Sequence, residues 1–337
     1  MTTRGNDTAR LPGERALIDH IRQRLPSPPP PLVVGPGDDA AVFEPERGAL
    51  QVLTTDASVE GIHFDRRFSS PADIGYRAIS VNVSDIAAMG ARPEYALLSL
   101  ILPEGWTMDE LDGLLDGVIE AASSYRITIA GGNISRSPGP LVVDVTATGS
   151  VRPRKLLRRG GADRTGHIQR VPRLAAVAAG LGWLRESALT EPTAPPTVVR
   201  RCLRPEARVR MGMLLGRNKA ASACMDLSDG LGDAVRQVAE ASGTGALIDA
   251  AALPIDPDAN AWFTEQGADP VQAALGGGDD YELLFTVPRK FRGRLRAVQS
   301  AARGLQITRI GELTAEGSVR LTRDGVESEL PEGYSHF

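Results

Sequence analysis

The stretch "SVNVSDIAAMGARPEYALLSLIL", Ser80 to Leu102, joins a helical apolar pattern to a β-rich run. Apolar residues recur at helical spacing as far as Met89, a glycine follows, and "YALLSLIL" then favours a strand. Two polar residues, Asn82 and Asp85, lie three positions apart inside the apolar helix. A carboxylate removed from water is costly unless it is paired or binds a metal. Asp85 therefore indicates a salt bridge, a solvated helix edge or a cation site.

Helix and strand patterns alternate on both sides of this stretch. An amphipathic pattern from Leu17 to Leu25 predicts a first helix, which the prolines of "PSPPPP" end. Helical patterns at about 71–90 and 107–125 separate some of the β-rich runs. Those runs are "LVVGPGDDAAVF", "LQVLTTDASV", "YALLSLIL" and "LVVDVTATGSV". The fold class is therefore predicted to be α/β (α+β), with an N-terminal domain over residues 1–150.

The composition changes after Val151, where "RPRKLLRRGGADRTGH" is basic and contains glycines. Helical patterns follow around 173–190, 205–222 and 229–242. The β-like segments "ALIDA", "ELLFTV" and "ITRIGEL" alternate with them. We therefore predict a second α/β domain over residues 151–337.

The composition is that of a globular protein with no nucleic-acid surface. The 337 residues suffice for two domains, and they are 42% hydrophobic, 24% charged and 4% aromatic. So few rings disfavour base stacking, and a net charge of -4 does not attract polyanions. No segment approaches the roughly 20 apolar residues of a spanning helix, and no signal peptide is evident. We expect a cytoplasmic protein with no membrane or nucleic-acid partner and with reduced thiols at Cys202 and Cys224.

Carboxylates collect at five Gly-rich or helical positions along the chain. They are Asp38 and Asp39; Asp56; Asp85; Asp226 and Asp229; and Asp279, Asp280 and Glu282. Each one alone is ordinary turn chemistry. Together they are typical of a ligand site, because α/β proteins gather ligands at the ends of strands. Hard oxygen ligands of this kind suit Mg²⁺.

The familiar nucleotide-binding motifs are absent from the sequence. It contains no GxxxxGK[ST] motif and no GxGxxG that opens a helix, and its three lysines lie outside glycine loops. A P-loop protein, a protein kinase and a Rossmann dinucleotide site are therefore disfavoured. Any phosphate would be held by metal ions, arginines and backbone amides.

Five motifs together carry a family resemblance. They are "GPGDDAAVF", "TTDASVEGIHF", "SVNVSDIAAMGARP", "MDLSDGLGDAVRQVAEASG" and "GGGDDYELLFTVP". From about residue 13 to the terminal "GYSHF", the chain resembles the thiamine-monophosphate kinases of the aminoimidazole-ribonucleotide-synthetase superfamily. The resemblance implies two α/β domains, the N-terminal one binding ATP and magnesium and pairing its sheet across a homodimer.

The resemblance also implies a reaction. The γ-phosphoryl group of ATP would pass to thiamine monophosphate and give thiamine diphosphate. The acceptor phosphate is mostly dianionic at neutral pH and needs no general base. Several Mg²⁺ ions would offset the repulsion between the anions and hold the attacking and leaving oxygens in line.

The resemblance assigns roles residue by residue. The metal ligands would be Asp39, Thr54, Thr55, Asp56, Asp85, Asp226 and Asp229, with Asn133 where the family usually has aspartate. ATP would contact Gly132, Arg158 and Ser228, and the substrate would contact His63 and Asp279. Arg158 is also compatible with a solvated basic turn, and His63 with a structural role.

Three departures from the family limit this assignment. Asn133 replaces a metal-binding carboxylate, and the alternative is that it only caps a turn after Gly131 and Gly132. The segment 159–176 lacks the usual proline-glycine-aspartate turn and the apolar strand that follows it. The sequence therefore does not predict whether a strand forms at this edge of the fold. Pro331 stands where the family has an aromatic residue, and Tyr334 or Phe337 are the candidates to stack on the substrate instead.

Two alternative functions remain open. One is another ATP-using enzyme of the superfamily, although a selenophosphate synthetase fits poorly because no cysteine precedes Cys202. The other is a paralogue that binds ATP without catalysis or phosphorylates a different small phosphate. The three departures favour this second alternative.

Overall fold

The computed structural model describes residues 11, 13–27, 30–36, 38–170, 174–187, 196–302 and 304–331. The chain folds into two compact units. The first consists of residues 1–83 and 93–150, and the second of residues 84–92 and 151–337. Both mix helices and strands, so the predicted α/β class is confirmed. Among the described residues, no helix is long and apolar enough to cross a membrane.

Most of the predicted elements are present in the described residues. The helices are α1 (Glu14–Arg24), α2 (Pro71–Ala88), α3 (Met108–Tyr125), α4 (Ala176–Ser187), α5 (Pro196–Leu203), α6 (Val209–Asn218), α7 (Leu231–Ser242), α8 (Pro257–Glu265), α9 (Pro270–Gly276) and α10 (Arg292–Ala301). The strands are β1 (Leu32–Val34), β2 (Val42–Phe43), β3 (Leu50–Val59), β4 (Arg92–Pro103), β5 (Thr128–Ser137), β6 (Val142–Val151), β7 (His167–Arg170), β8 (Ala223–Asp226), β9 (Gly245–Asp249), β10 (Leu283–Val287), β11 (Thr308–Thr314), β12 (Val319–Arg323) and β13 (Val326–Glu329).

The first unit contains a four-stranded sheet with the order β3-β6-β4-β5. Alternate residues of β4 and β6 are buried, among them Leu98, Leu100 and Val145, as expected for a sheet with one covered face. The other face leaves large apolar side chains in solvent: Leu53 of β3 is 72% exposed and Leu97 of β4 is 43% exposed. The sheet therefore has one buried face and one open face.

Helices α2 and α3 pack closely in the first unit. A Cβ at Gly75 of α2 would lie 2.1 Å from the carbonyl oxygen of Leu114 in α3, so only glycine permits this approach. Ile74 and Ala78 of α2 are also buried, as the helical pattern predicts. Helix α3 begins with a capping box, in which Thr107 and Glu110 bond each other's backbone N–H groups.

The second unit is built on a seven-stranded sheet with the order β13-β12-β9-β11-β7-β10-β8. Every residue of β10 is buried. Leu284 belongs to one cluster of buried apolar residues, while Leu283, Phe285 and Val287 belong to another. Because successive side chains of a strand point to opposite faces, β10 contributes to a core on each face of the sheet.

Strand β7 forms in the segment whose sequence departs from the family. It pairs with β10 on one side and with β11 on the other, both antiparallel. A turn precedes it, in which the Asp163 carboxylate accepts hydrogen bonds from the backbone N–H and the hydroxyl of Thr165. Asp163 and Thr165 thus form the turn without the usual proline. Residues 171–173 of this segment lie outside the described residues.

His167 of β7 is buried, and its environment favours the neutral ring. Burial lowers the pKa of His167, and Arg309, Arg292 and Arg289 lower it further against the opposing charge of Glu312. One ring nitrogen, Nε2, lies 3.1 Å from Nη2 of Arg292. Nδ1 is buried and has no hydrogen-bond partner among the described residues. Protonation of His167 is therefore expected to destabilise the fold of the second unit.

We expect His167→Gln to weaken the loss of stability in mild acid. The folded pKa of His167 lies below its unfolded value near 6.5, so its contribution is complete above about pH 6.5 and falls as pH decreases toward the folded pKa. Urea unfolding at pH 7.5 and pH 5.5 measures how much the free energy of unfolding changes with pH in the wild type and in the variant. The two pH values lie about one unit above and below the pKa of an unperturbed histidine. Equal pH dependence of wild type and variant would contradict this role.

Candidate functional site

Three candidate metal ligands of the first unit lie in the middle of strand β3. Thr54 and Asp56 are two residues apart and share one face of the sheet, whereas Thr55 lies on the other. The Thr55 hydroxyl lies 3.3 Å from Oδ1 of Asp144, 3.2 Å from the Val145 carbonyl oxygen and 3.2 Å from the Thr146 hydroxyl, all on β6. The three neighbouring side chains therefore do not point to the same side of the sheet.

Gly132 and Asn133 lie within strand β5, which pairs in parallel with β4. A Cβ at Gly132 would lie 1.9 Å from the Leu98 carbonyl oxygen, so the strands require glycine here. Asn133 pairs with Ser99, is exposed, and is not among the residues with positive φ. The interpretation of Asn133 as the cap of a turn in left-handed conformation is therefore wrong.

Two further candidates of the first unit lie outside its regular strands. Asp39 is exposed in a bend before β2, and its backbone N–H donates to Oδ1 of Asp38 at 2.9 Å. His63 lies in the turn after β3, where its Nδ1 accepts a hydrogen bond from the Val59 N–H at 3.1 Å. In the neutral ring the proton is therefore on Nε2 of His63, which makes Nε2 a donor.

In the second unit, the carboxylate Asp226 ends strand β8 and is only 7% exposed. Its Oδ2 accepts a hydrogen bond of 2.6 Å from the hydroxyl of Ser84 in α2. Asp85, the next residue of the helix, is half-buried. The amide of Asn82, earlier in α2, is fully buried: its nitrogen donates to the Ala78 carbonyl oxygen at 3.0 Å, and its Oδ1 has no partner among the described residues.

The loop after β8 is joined to the loop before β10 by backbone hydrogen bonds. The N–H of Asp279 donates to the Ser228 carbonyl oxygen at 2.6 Å, and the N–H of Tyr281 donates to the Leu227 carbonyl oxygen at 2.9 Å. This brings together Ser228, Asp229 and Asp279, which the family resemblance assigns to ATP, metal and substrate. The Ser228 hydroxyl also lies 3.3 Å from Oδ2 of Asp229.

Asp279 is held in an unusual conformation. Its φ is 67° and that of Tyr281 is 48°, and such left-handed backbone is costly for residues other than glycine. The Tyr281 hydroxyl donates to Oδ1 of Asp279 at 3.0 Å. Two backbone hydrogen bonds and this phenol therefore fix the direction of the carboxylate.

The remaining candidates are separate from these contacts. Arg158 is exposed, and its backbone carbonyl accepts from the N–H of Cys224 at 2.8 Å, so it is anchored beside β8. Pro331 has a backbone carbonyl that accepts from Arg236 at 2.7 Å. Tyr334 and Phe337, the aromatic candidates, lie outside the described residues.

No group of three or more His, Cys, Asp or Glu side chains is arranged to hold a metal ion in the part of the chain that the structure describes. Mg²⁺ in phosphoryl-transfer sites is commonly bound through one or two carboxylates together with substrate phosphates. The assignment of the metal ligands stays a prediction.

Comparison with known proteins identifies this architecture. Residues 37–151 match the family described as AIR synthase related protein, N-terminal domain, and residues 179–324 match its C-terminal domain. The thiamine-monophosphate kinase of Bacillus subtilis (strain 168) is 35% identical over 309 residues, or 90% of this chain and 93% of the relative. The chain belongs to the thiamine-monophosphate kinase family. The predicted resemblance is therefore confirmed.

Other members of the thiamine-monophosphate kinase family agree in sequence and fold. The Salmonella typhimurium (strain LT2) kinase is 36% identical and covers 96% of this chain and 98% of its own length. The crystal structure of the Stenotrophomonas maltophilia K279a kinase has a TM-score of 0.81 at 35% identity, with 95% and 98% coverage. A structure described as "AaThiL complexed with AMPPCP and TMP" has a TM-score of 0.77 at 33% identity, with 100% and 99% coverage.

Two side chains beside the candidate site were not singled out from the sequence. The Ser84 hydroxyl donates a hydrogen bond to the Asp226 carboxylate, and the Tyr281 hydroxyl donates one to the Asp279 carboxylate. Both lie inside motifs that carry the family resemblance, "SVNVSD" and "GGGDDYELLF". Both residues are close in sequence to motif aspartates, which is the feature that could have drawn attention to them. Their hydrogen bonds to Asp226 and Asp279 could not be inferred without the fold.

Proposed function

We propose that the chain transfers the γ-phosphoryl group of ATP directly to thiamine monophosphate, giving thiamine diphosphate and ADP. The observation that carries this proposal is the full-length likeness to AaThiL, whose structure contains AMPPCP, an ATP analogue, together with TMP. The names of the relatives support the same activity. The second candidate function, a paralogue with altered catalysis, is favoured by Asn133 and Pro331, which replace family residues.

The proposed reaction asks the chain to bind and orient two anions. The acceptor phosphate is its own nucleophile, because a phosphate monoester is mostly dianionic at neutral pH. No side chain has to remove a proton, which agrees with a histidine, His63, whose Nδ1 is occupied by the backbone of Val59. Catalysis of this kind consists of positioning and charge stabilisation.

The donor chemistry of the candidate ligands fits Mg²⁺. All of them offer carboxylate, hydroxyl or amide oxygens, and the buried Oδ1 of Asn82 adds an acceptor without a partner among the described residues. We assign Asp39, Thr54, Asp56 and Asn133 of the first unit, and Asp85, Asp226 and Asp229 of the second. Thr55, whose hydroxyl lies against β6 on the other face of the sheet, is assigned through its backbone carbonyl oxygen. Bound magnesium ions would neutralise phosphate charge.

In this proposal the loops that carry Ser228 and Asp279 contact the nucleotide and the thiamine moiety. The thiazolium ring of thiamine is cationic, and the Asp279 carboxylate offers it a fixed negative charge. Tyr281 keeps that carboxylate in one orientation, which reduces the entropy lost on binding. We assign His63 to the same substrate, and Gly132, Arg158 and Ser228 to ATP, with the Arg158 guanidinium suited to a phosphate.

We expect Asn133→Asp to lower the Mg²⁺ concentration that gives half-maximal activity and to raise turnover. Asn133 is exposed on β5 and has no turn to cap, so a carboxylate there adds a negative charge toward a cation without loss of local structure. Serine at the same position is the neutral control. Unchanged magnesium dependence in the aspartate variant would contradict a ligand role for residue 133, and reduced turnover would indicate adaptation to another substrate.

We also propose that the chain is a homodimer, paired through the open face of the first unit's sheet. Leu53 and Leu97 expose apolar surface on that face, and burial of such surface drives association. Leu53→Asp is expected to give a monomer in light scattering, whereas Val326→Asp, an equally exposed apolar residue of the second unit, is expected to leave the dimer intact. A wild-type monomer that turns over ATP would contradict the proposal.

Product analysis tests the proposed function. Chromatography after incubation with ATP, Mg²⁺ and thiamine monophosphate is expected to show thiamine diphosphate in equal amount to ADP. Other small phosphate monoesters at the same concentration are expected to give little product. Nucleotide binding without any product would favour the paralogue.

A further inference from the structure

A cavity of about 200 Å³ in the second unit lies between helices α4 and α5 and the residues that follow α5. Four arginines line it: Arg200, Arg201, Arg204 and Arg208. Glu206, Asp280 and Glu282 contribute carboxylates to the same cavity. Four cations therefore face three anions. None of the residues assigned above to ATP, magnesium or thiamine lines this cavity.

The floor of the cavity is a buried ion pair. Nε and Nη2 of Arg208 donate to the two carboxylate oxygens of Glu282 at 2.8 and 2.6 Å, and the two side chains are 12% and 2% exposed. Burial alone would lower the pKa of Arg208, but the hydrogen bonds and charge of Glu282 outweigh it and raise that pKa well above its usual value. The Arg208 charge is thus matched by Glu282. Arg201 approaches Glu282 only to 4.0 Å.

The rim of the cavity carries two arginines of the same helical turn. The N–H of Arg204 donates to the Arg200 carbonyl oxygen at 2.8 Å, so the two side chains are four residues apart on one face. Like charges at this spacing repel each other. The guanidinium group of the exposed Arg200 makes no hydrogen bond or ion pair within the described residues. A dianion seated between the two guanidinium groups would turn this repulsion into attraction.

We propose that this cavity binds a small phosphate dianion, either inorganic phosphate or a small phosphate ester, through Arg200 and Arg204. The planar guanidinium fork matches two oxygens of a phosphate, which a point charge does not. The volume is below the roughly 300–1,000 Å³ of pockets for drug-sized ligands, so the occupant is small. The buried Arg208–Glu282 pair fixes the floor beneath the rim arginines.

Calorimetric titration without ATP or magnesium tests the site. Inorganic phosphate and glycerol 2-phosphate are titrated separately into the wild type, into R200A/R204A, and into R217A/R296A, which removes the same charge from exposed positions outside the cavity. We expect the cavity variant to bind phosphate about tenfold more weakly or worse, and the control to match wild type. Tighter binding of the ester identifies an ester as occupant, and tighter binding of inorganic phosphate identifies the free ion. Equal affinities of the two double variants would overturn the proposal.

Anomalous diffraction from wild-type crystals soaked in selenate gives a second readout that needs no variant. We expect a selenium peak among Arg200, Arg201 and Arg204. Selenate bound at other positions with this cavity empty would overturn the proposal. Both readouts are independent of kinase activity, because neither experiment contains ATP.

Discussion

Replacement of Asp226 by asparagine is expected to lower turnover about 100-fold or more while the chain remains folded. Asp226 ends β8 at 7% exposure and accepts a hydrogen bond from Ser84 at 2.6 Å. The asparagine oxygen can still accept that bond, so the variant removes a negative charge and little else. In the proposed function Asp226 would help to hold a magnesium ion, whose charge would offset that of the phosphates. Steady-state kinetics with ATP and thiamine monophosphate measure the loss.

A thermal readout accompanies the Asp226→Asn kinetics. Magnesium with ATP is expected to raise the wild-type melting temperature by mass action, and the variant should lose most of that rise. Ser84→Ala is the matched control, since it removes the hydrogen bond but keeps the carboxylate, and its turnover should stay within about tenfold of wild type. Wild-type turnover in Asp226→Asn would contradict the ligand role.

Replacement of Arg208 by methionine is expected to lower the free energy of unfolding by about 3–5 kcal/mol. The substitution removes the hydrogen-bonded partner of Glu282, which is 2% exposed and would keep only the more distant Arg201, at 4.0 Å, as a neighbouring cation. Urea denaturation measures the change. The cost arises from the carboxylate left behind, so Arg208→Met/Glu282→Met should recover most of the lost stability.

The surface pair of Arg320 and Glu327 is the comparison for Arg208 and Glu282. Their atoms are 2.7 Å apart, but the side chains are 37% and 44% exposed. Solvent screens such a pair, and Arg320→Met should cost less than about 1 kcal/mol. Similar costs for the two single substitutions, or no recovery in the double variant, would show that burial does not control the energy of the inner pair.

Much of the fold follows from the sequence where apolar periodicity is clear. Helix α2 was predicted because its apolar residues repeat at helical spacing. Strand β5 was not predicted, since Gly131, Gly132 and Asn133 have the composition of a turn, yet Gly132 is required by the close approach of Leu98. Strand β7 was left open because His167 and Gln169 are polar, although both are buried between β10 and β11.

The candidate site was predicted as a set of residues but not as an arrangement. The motif aspartates were chosen from the sequence and the family resemblance. Ser84 and Asp226 are 142 positions apart, so their hydrogen bond could not be inferred from spacing. The contact between the Ser228 and Asp279 loops likewise depends on the pairing of β8 with β10. Only tertiary structure supplies such contacts.

Direct transfer of the γ-phosphoryl group from ATP to thiamine monophosphate can be followed with a radioactive label. The chain is incubated with ATP labelled with ³²P at the γ-phosphorus, Mg²⁺ and thiamine monophosphate, and the products are separated. We expect one labelled thiamine diphosphate for each ADP, with the label at the terminal phosphate, and loss of that product with Asp226→Asn. Labelled inorganic phosphate without labelled thiamine diphosphate, or no consumption of ATP, would contradict it.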